Sequence, residues 1–223
     1  MPLTLAFDVY GTLVDTAGVT EQLARHVGGR APAFARLWRD KQLEYSFRRG
    51  LMRNYEPFTT CTRQALDYTC AALGAALSGA ERDDLMAAYG RLPAFPDARP
   101  CLEALAAADR RLFAFSNGPA AEVERVLANA GLAPLLEGVV SVEAVRSFKP
   151  DPAVYAHFLR ATRATTGGAW LVSGNPFDVI GALSAGWCAA WVRRTPEAVY
   201  DPWGLEPTAR LESLLELPGA LAT

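Results

Sequence analysis

The residues best suited to do chemistry in this 223-residue chain lie in four separated stretches. The first is Leu3-Thr4-Leu5-Ala6-Phe7-Asp8-Val9-Tyr10-Gly11-Thr12-Leu13, an apolar run ending in a single acid and a Gly-Thr turn. The others are Phe113-Ala114-Phe115-Ser116-Asn117-Gly118, Ser147-Phe148-Lys149-Pro150-Asp151 and Leu171-Val172-Ser173-Gly174-Asn175-Pro176-Phe177-Asp178. Among the groups they offer are the carboxylates of Asp8 and Asp178, the ammonium of Lys149 and the hydroxyl of Ser116. Brought together, such groups serve nucleophilic and acid–base catalysis. Taken singly, each also suits a structural role, capping a helix or satisfying a loop. Asp178, for instance, falls in the first turn of a helix, where an acid favours the dipole. Asp8 demands more explanation, because a carboxylate at the end of a buried strand is costly unless paired. Lys149 stands out because only Lys41 and Lys149 are lysines in an arginine-rich chain, and an ammonium is not interchangeable with a guanidinium.

These groups can meet only if the elements around them bring them to one place. Leu5 and Phe7 in a short apolar run predict a buried strand with Asp8 at its carboxyl end. That edge is where ligands bind in open α/β sheets. Gly11 permits a sharp turn there, and Thr12 can hydrogen-bond the loop. Beyond Pro93 and Pro96 the pattern alternates: helix over 101–108, strand over 111–115, helix over 119–130, strand over 139–142. It continues with a helix over 152–163 capped by Asp151, a strand over 169–172, a helix over 176–185 and a strand over 187–192. The tail over 209–217 is expected to be helical. Such alternation implies an α/β fold with a doubly wound, Rossmann-like parallel sheet.

Between the first strand and Pro93, residues 18–89 read as helices without a strand. The longest pattern covers 33–49, where Phe34, Leu37, Trp38 and Tyr45 mark one apolar face. Arg39, Leu43 and Phe47 share the neighbouring row. An arginine amid apolar neighbours either snorkels or faces a polar cavity. The expected organisation is therefore a core of residues 1–15 and 92–223 with a helical cap, 16–91, inserted after the first strand. Asp8, Ser116 and Asp178 then reach one edge of the sheet, and Lys149 follows a short strand to the same edge.

Composition removes several function classes. A hydrophobic content of 51% with 21% charged residues is that of a globular protein. A net charge of −2 supplies no basic surface for nucleic acid. No run approaches the roughly 20 apolar residues that span a bilayer, and the N-terminus carries no signal-peptide pattern. Cys61, Cys70, Cys101 and Cys188 form no CxxC pair, so reduced thiols and a cytoplasmic location are expected.

In order and spacing, the four stretches resemble the motifs of the haloacid dehalogenase superfamily, over essentially the whole chain. Phosphatases of that superfamily typically place a second Asp two residues after the nucleophile, to protonate the leaving group and help hold magnesium. Here that position is Tyr10, a neutral phenol. Asp8-Val9-Tyr10-Gly11-Thr12 instead resembles the L-2-haloacid dehalogenase branch. So do Arg39-Asp40-Lys41-Gln42-Leu43-Glu44-Tyr45 and Ser173-Gly174-Asn175-Pro176-Phe177-Asp178.

The resemblance implies roles. Asp8 matches the nucleophile, Lys149 the cation that keeps it ionised, and Asp178 the acid that activates water. Thr12 and Ser116 match groups that order the nucleophile's loop or bind the substrate carboxylate. Ser173 and Asn175 match polar support around Lys149 and Asp178. Arg39, Asn117 and Phe177 match a halide cradle, with Tyr10 among the substrate-binding residues. Tyr155 matches a supporting hydrogen-bonding tyrosine, with plain helix packing as the alternative. The implied enzyme is a homodimer that uses a small 2-haloalkanoic acid and needs no cofactor or metal. The rival readings are a magnesium-dependent phosphatase and a catalytically silent binding protein on the same fold. One departure is Gly174, where many relatives have a second Ser after Ser173; it leaves the ordering of water open. His26 and His157 lack a catalytic setting and read as structural or exposed.

Overall fold

In the computed structural model, residues 2–222 are described; residues 1 and 223, the outer ends of the expected core segments, lie outside them. The apolar run at the start forms β1 (Thr4–Phe7), buried along its length. Continuous burial is what a strand covered on both faces requires. Leu5 and Phe7 point into one hydrophobic layer and Ala6 into the other. Five more strands join it: β2 (Arg111–Ser116), β3 (Gly138–Ser141), β4 (Ala169–Ser173), β5 (Cys188–Val192) and β6 (Ala209–Leu211). All pairings are parallel, in the order β3-β2-β1-β4-β5-β6. The chain winds outward from β1 through β2 to β3, then returns to the other side of β1 for β4. The reversal lies between β1 and β4, where an open parallel sheet forms its ligand crevice. Phe7 pairs with Ala114 on one side and Val172 on the other, so the loops carrying Asp8, Ser116 and Ser173 leave the sheet side by side.

Helices cover both faces. Between β1 and β2 run α1 (Ala17–Val27), α2 (Ala31–Leu51), α3 (Phe58–Ala72), α4 (Gly79–Ala88) and α5 (Ala98–Ala107). Later come α6 (Ala120–Asn129), α7 (Pro152–Thr162), α8 (Pro176–Ser184) and the short α9 (Leu217–Ala220). Local chemistry sets several starts. Ser78 and Glu81 form a reciprocal capping box at α4, and Asp151 accepts from the Ala153 N–H at α7. Among the described residues, no helix is long and apolar enough to cross a membrane.

Two elements differ from expectation. The tail over 209–217 is not one helix: Ala209–Leu211 adds β6 to the edge of β5, followed by a single 3-10 turn and α9. Leu211, Leu214 and Leu217 are spaced as on one face of a helix. All three are buried in the same core layer, but strand, turn and helix each deliver one of them. Asp97 fixes this path by accepting from Leu214 N (2.9 Å), Ser213 Oγ (3.0 Å) and Arg194 Nη1 (2.7 Å).

The buried row of α2 is the second difference. It comprises Phe34, Trp38, Gln42 and Ser46, whereas Leu37 and Tyr45 are only partly covered. The row turns polar halfway along because it meets hydrogen-bonding groups of α3, not an apolar surface. Trp38 Nε1 donates to Thr62 O at 2.8 Å, and Gln42 Nε2 to Thr62 Oγ1 at 2.6 Å.

Leu214 is fully buried beneath the tail. Leu214→Ala is expected to cost about 2–5 kcal/mol in denaturant unfolding while leaving activity per folded molecule unchanged, because only the far edge of the sheet loosens.

Candidate active site

Asp8 is the first residue past β1, and its amide still extends the ladder by donating to Val172 O at 3.0 Å. Its carboxylate is held from three directions. Oδ2 accepts Thr12 Oγ1 and Asn175 Nδ2, each at 2.8 Å, and Oδ1 accepts Lys149 Nζ at 3.1 Å. The loop can fold back onto Asp8 because Gly11 takes a φ of 76°, a conformation that L side chains rarely adopt. Thr12 Oγ1 also accepts the Gly174 N–H at 2.9 Å, so one hydroxyl ties the loops after β1 and β4 together.

Lys149 is 1% exposed and lies between the two acids: Nζ donates to Asp178 Oδ2 at 2.6 Å as well as to Asp8. The Phe115 ring lies 4.6 Å from the ammonium, on its third side. Burial alone would push the Lys149 pKa down; the Asp178 and Asp8 carboxylates outweigh it and raise the value, so the ammonium is retained. Asp178, 1% exposed, is affected the other way. Burial raises its pKa to about 6, against the pull of Lys149 and with a further push from Asp8. The Tyr155 hydroxyl faces Asp178, 3.0 Å from Oδ1 and 3.1 Å from the backbone oxygen. Tyr155 is therefore a hydrogen-bonding partner and also part of the core, where its ring packs 5.6 Å from Trp187.

Above these groups lies a cavity of about 180 Å³ between the inserted helices and the sheet edge. Tyr10, Arg39, Gln42, Gly118 and Asn175 line it, with apolar walls from residues such as Trp38 and Phe58. Arg39 reaches from α2 to the loop after β4, donating to Asn175 Oδ1 at 3.3 Å and to Gln42 Oε1 at 2.7 Å. Asn175 thus bridges Arg39 and Asp8. Burial pushes the Tyr10 phenol pKa well up, with Glu122 adding to the shift, so Tyr10 stays neutral.

The remaining residues singled out from sequence have more local partners. Ser116 Oγ accepts the Gly118 N–H at 3.1 Å, and Ser173 Oγ accepts the Asn175 N–H at 3.0 Å. Asn117 Oδ1 accepts the Lys149 N–H at 2.9 Å and so seats the lysine's backbone. The Phe177 ring meets Phe47 of α2 edge-on at 5.2 Å. Asn117 and Phe177 do not line the cavity that Arg39 lines. His26 is partly buried, with Nδ1 3.2 Å from Glu81 Oε1, and His157 lies partly covered on α7.

Sequence reasoning missed two supports. Gln42 was quoted only within a motif, and nothing in an apolar pattern flags a buried amide. Arg194, just past β5, donates to the Thr12 carbonyl oxygen and to Asp97, bracing the loop that holds Asp8. Its position after a strand at the same sheet edge was the available signal.

Comparison with known proteins adds to this geometry. A family model described as a haloacid dehalogenase-like hydrolase matches residues 3–186. An (S)-2-haloacid dehalogenase from Xanthobacter autotrophicus is 40% identical over 190 residues, 85% of this chain and 74% of that protein. (S)-2-haloacid dehalogenase H-109 from Pseudomonas putida is 35% identical over 213 residues, 96% of this chain and 95% of that protein. A solved structure of an L-2-haloacid dehalogenase from Xanthobacter autotrophicus, with chloropropionic acid covalently bound, matches with a TM-score of 0.92 and 34% identity. It covers 100% of this chain and 99% of that one.

The departure at Gly174 has a steric cause. A Cβ at Gly174 would overlap the Gly11 carbonyl oxygen, in the loop that carries Asp8 and Thr12. Gly174→Ser is expected to cost about 1–3 kcal/mol of stability and to slow turnover by displacing that loop. Thermal melting and turnover per folded molecule check this; wild-type values for both would show that the loop yields without consequence.

Proposed function

The chain belongs to the haloacid dehalogenase-like hydrolase family, and from that premise we propose that it hydrolyses L-2-haloacids to D-2-hydroxyacids and halide. The observation that carries this reading is Asp8, a carboxylate held by Lys149, Thr12 and Asn175, with Arg39 joined to it through Asn175. Oδ2 accepts two donors and Oδ1 one, so an open lone pair on Oδ1 is available for attack.

In the proposed reaction, Asp8 Oδ1 attacks the substrate's α-carbon opposite the halogen. The new C–O bond forms as the carbon–halogen bond breaks, and the halide leaves with the electron pair, inverting the carbon. Arg39 meets the charge that develops on the halide. The family resemblance assigns Asn117 and Phe177 to the same cradle, although here Asn117 seats the Lys149 backbone and Phe177 packs on Phe47, outside the cavity that Arg39 lines. Ser116 and Tyr10 contribute to the seat of the substrate. Water then attacks the ester carbonyl carbon of Asp8 while Asp178 accepts its proton. The bond between that carbon and the product oxygen breaks, the leaving oxygen takes up one of the water's protons as the product hydroxyl, and release of the other restores the Asp8 carboxylate. The product hydroxyl oxygen therefore comes from Asp8. Residues 16–91 act as a cap over the core segments and exclude water while the halide leaves.

Three further features belong to the proposal. No metal or cofactor enters the reaction, because Tyr10 stands where the family's phosphatases place their second acid. That position also disfavours the phosphatase alternative. Two copies pair through the inserted helices, supported by the exposed Leu51, Met52 and Tyr68 on and beside α2 and α3. The location is cytoplasmic, in keeping with four unpaired cysteines.

The first test is halide release from L- and D-2-chloropropionate. Release from the L isomer alone, unaffected by excess chelator, is expected. Loss on chelation and recovery with magnesium would overturn the metal-free mechanism, and phosphate-ester hydrolysis in place of halide release would overturn the function.

The second test follows from Asp178. Asp178 has a pKa of about 6 at rest and a lower one once the ester removes the Asp8 charge; below that lower value its carboxyl holds a proton and cannot take another from water. Ester hydrolysis should slow there while ester formation continues. Mass spectrometry of acid-quenched peptide containing Asp8 should show an adduct accumulating at low pH, and at every pH in Asp178→Asn. Normal hydrolysis in that variant would assign the water to another base.

A further inference from the structure

Gln42 is buried to 1% exposure on the cavity's inner wall, yet the reaction derived above leaves it without a part. Both ends of its amide are committed. Oε1 accepts Arg39 Nη1 at 2.7 Å, and Nε2 donates to Thr62 Oγ1 at 2.6 Å. Thr62 spends its single hydroxyl proton on Phe58 O at 2.9 Å, so it can only accept from Gln42. Arg39 has only donors, so the amide oxygen must face it. Two independent constraints therefore fix the same orientation of the Gln42 amide. Tyr89 lies against the same side chain.

The result is a set of hydrogen bonds with Arg39 as their common source. One branch runs from Arg39 through Gln42 and Thr62 to the α3 backbone; the other runs through Asn175 to Asp8 Oδ2. An arginine this close to a reaction centre is commonly paired with a carboxylate, which would give the firmest bond. The same pairing would also offset the positive charge. A neutral amide holds the guanidinium in place and leaves its charge for the ligand.

We propose that Gln42 is a positioning residue for the dehalogenation: a neutral acceptor, braced by Thr62, that aims Arg39 at the departing halide without cancelling its charge. This rests on the dehalogenase reading of the site. It explains why the inward row of α2 gives up apolar contact at this position. It also explains the type of residue found there, since Glu has nearly the same shape but the wrong charge.

The test is a double-mutant cycle read as halide released from L-2-chloropropionate per folded molecule. Gln42→Glu and Gln42→Met are made in the wild-type protein and in Arg39→Ala. Each is expected to lower kcat in the wild-type background by about 100-fold, the scale of a misplaced catalytic group. KM should change far less, and inhibition by added bromide should weaken. In the Arg39→Ala background the same substitutions should change kcat by no more than about twofold, because the group they act through is gone. Thr62→Val, isosteric and one bond further from Arg39, should show the same pattern at smaller amplitude and decides the matter if a Gln42 variant does not fold. Losses of equal size in both backgrounds, or none in either, overturn the role of Gln42. Absence of halide release by the wild-type protein would instead overturn the dehalogenase reading, and the proposal with it.

Discussion

One ammonium shared by two carboxylates, all three withdrawn from water, is the interaction on which the rest of the structure depends. Burying these groups is costly, and the arrangement persists only because each charge has a partner and each remaining lone pair a donor. Thr12 and Asn175 complete Asp8, Tyr155 completes Asp178, and the Phe115 ring closes the third side of Lys149. Removing Lys149 from such a set leaves two buried carboxylates without their countercharge, typically a loss of about 3–5 kcal/mol. The loops after β1, β3 and β4 are therefore held to one another by charge, and the sheet beneath has to deliver them in register.

The sheet does so through its winding order. Because β4 returns to the side of β1 opposite β2, the loops of three adjacent strands open into one crevice, and Asp8 emerges at its centre. The aromatic layer beneath, with Phe115, Tyr155, Phe158 and Trp187 in mutual contact, gives Tyr155 a rigid seat from which its hydroxyl reaches Asp178. The helices inserted after β1 contribute a separate polar network, and Asn175 is the residue at which the two networks join. It binds Asp8 with its amide nitrogen and Arg39 with its amide oxygen.

Asp8, Lys149 and Asp178 were legible in the sequence because each follows an apolar stretch whose strand character is strong, and a parallel sheet sends all such stretches to one edge. Lys149 had the further signal of being a lysine in a chain that otherwise favours arginine. Gln42 was not legible: hydrophobic periodicity marks buried rows by their apolar residues, and this row is completed by an amide with one partner, Arg39, on its own helix and another, Thr62, 20 residues away on α3. The strand Ala209–Leu211 was hidden for a different reason. Three residues are too few to show alternation, and the leucines that follow continue at a spacing typical of helices. What decided its conformation was the open edge of β5, a property of the assembled sheet and not of the segment.

The charge count of the buried cluster has a consequence for the timing of the reaction. At rest the cluster holds two negative charges and one positive. In the proposed reaction the Asp8 carboxylate becomes an ester; one negative charge then disappears and Lys149 is left to Asp178 alone. The neighbouring charge that helped raise the Asp178 pKa is then gone, while the ammonium that lowers it remains. The proton affinity of Asp178 therefore falls at the moment the ester forms, and a larger fraction of it is ionised and ready to take a proton from water. The covalent step thus arms the hydrolytic one. In that proposal the readiness of Asp178 for the hydrolytic step follows from a lost charge, with no moving part.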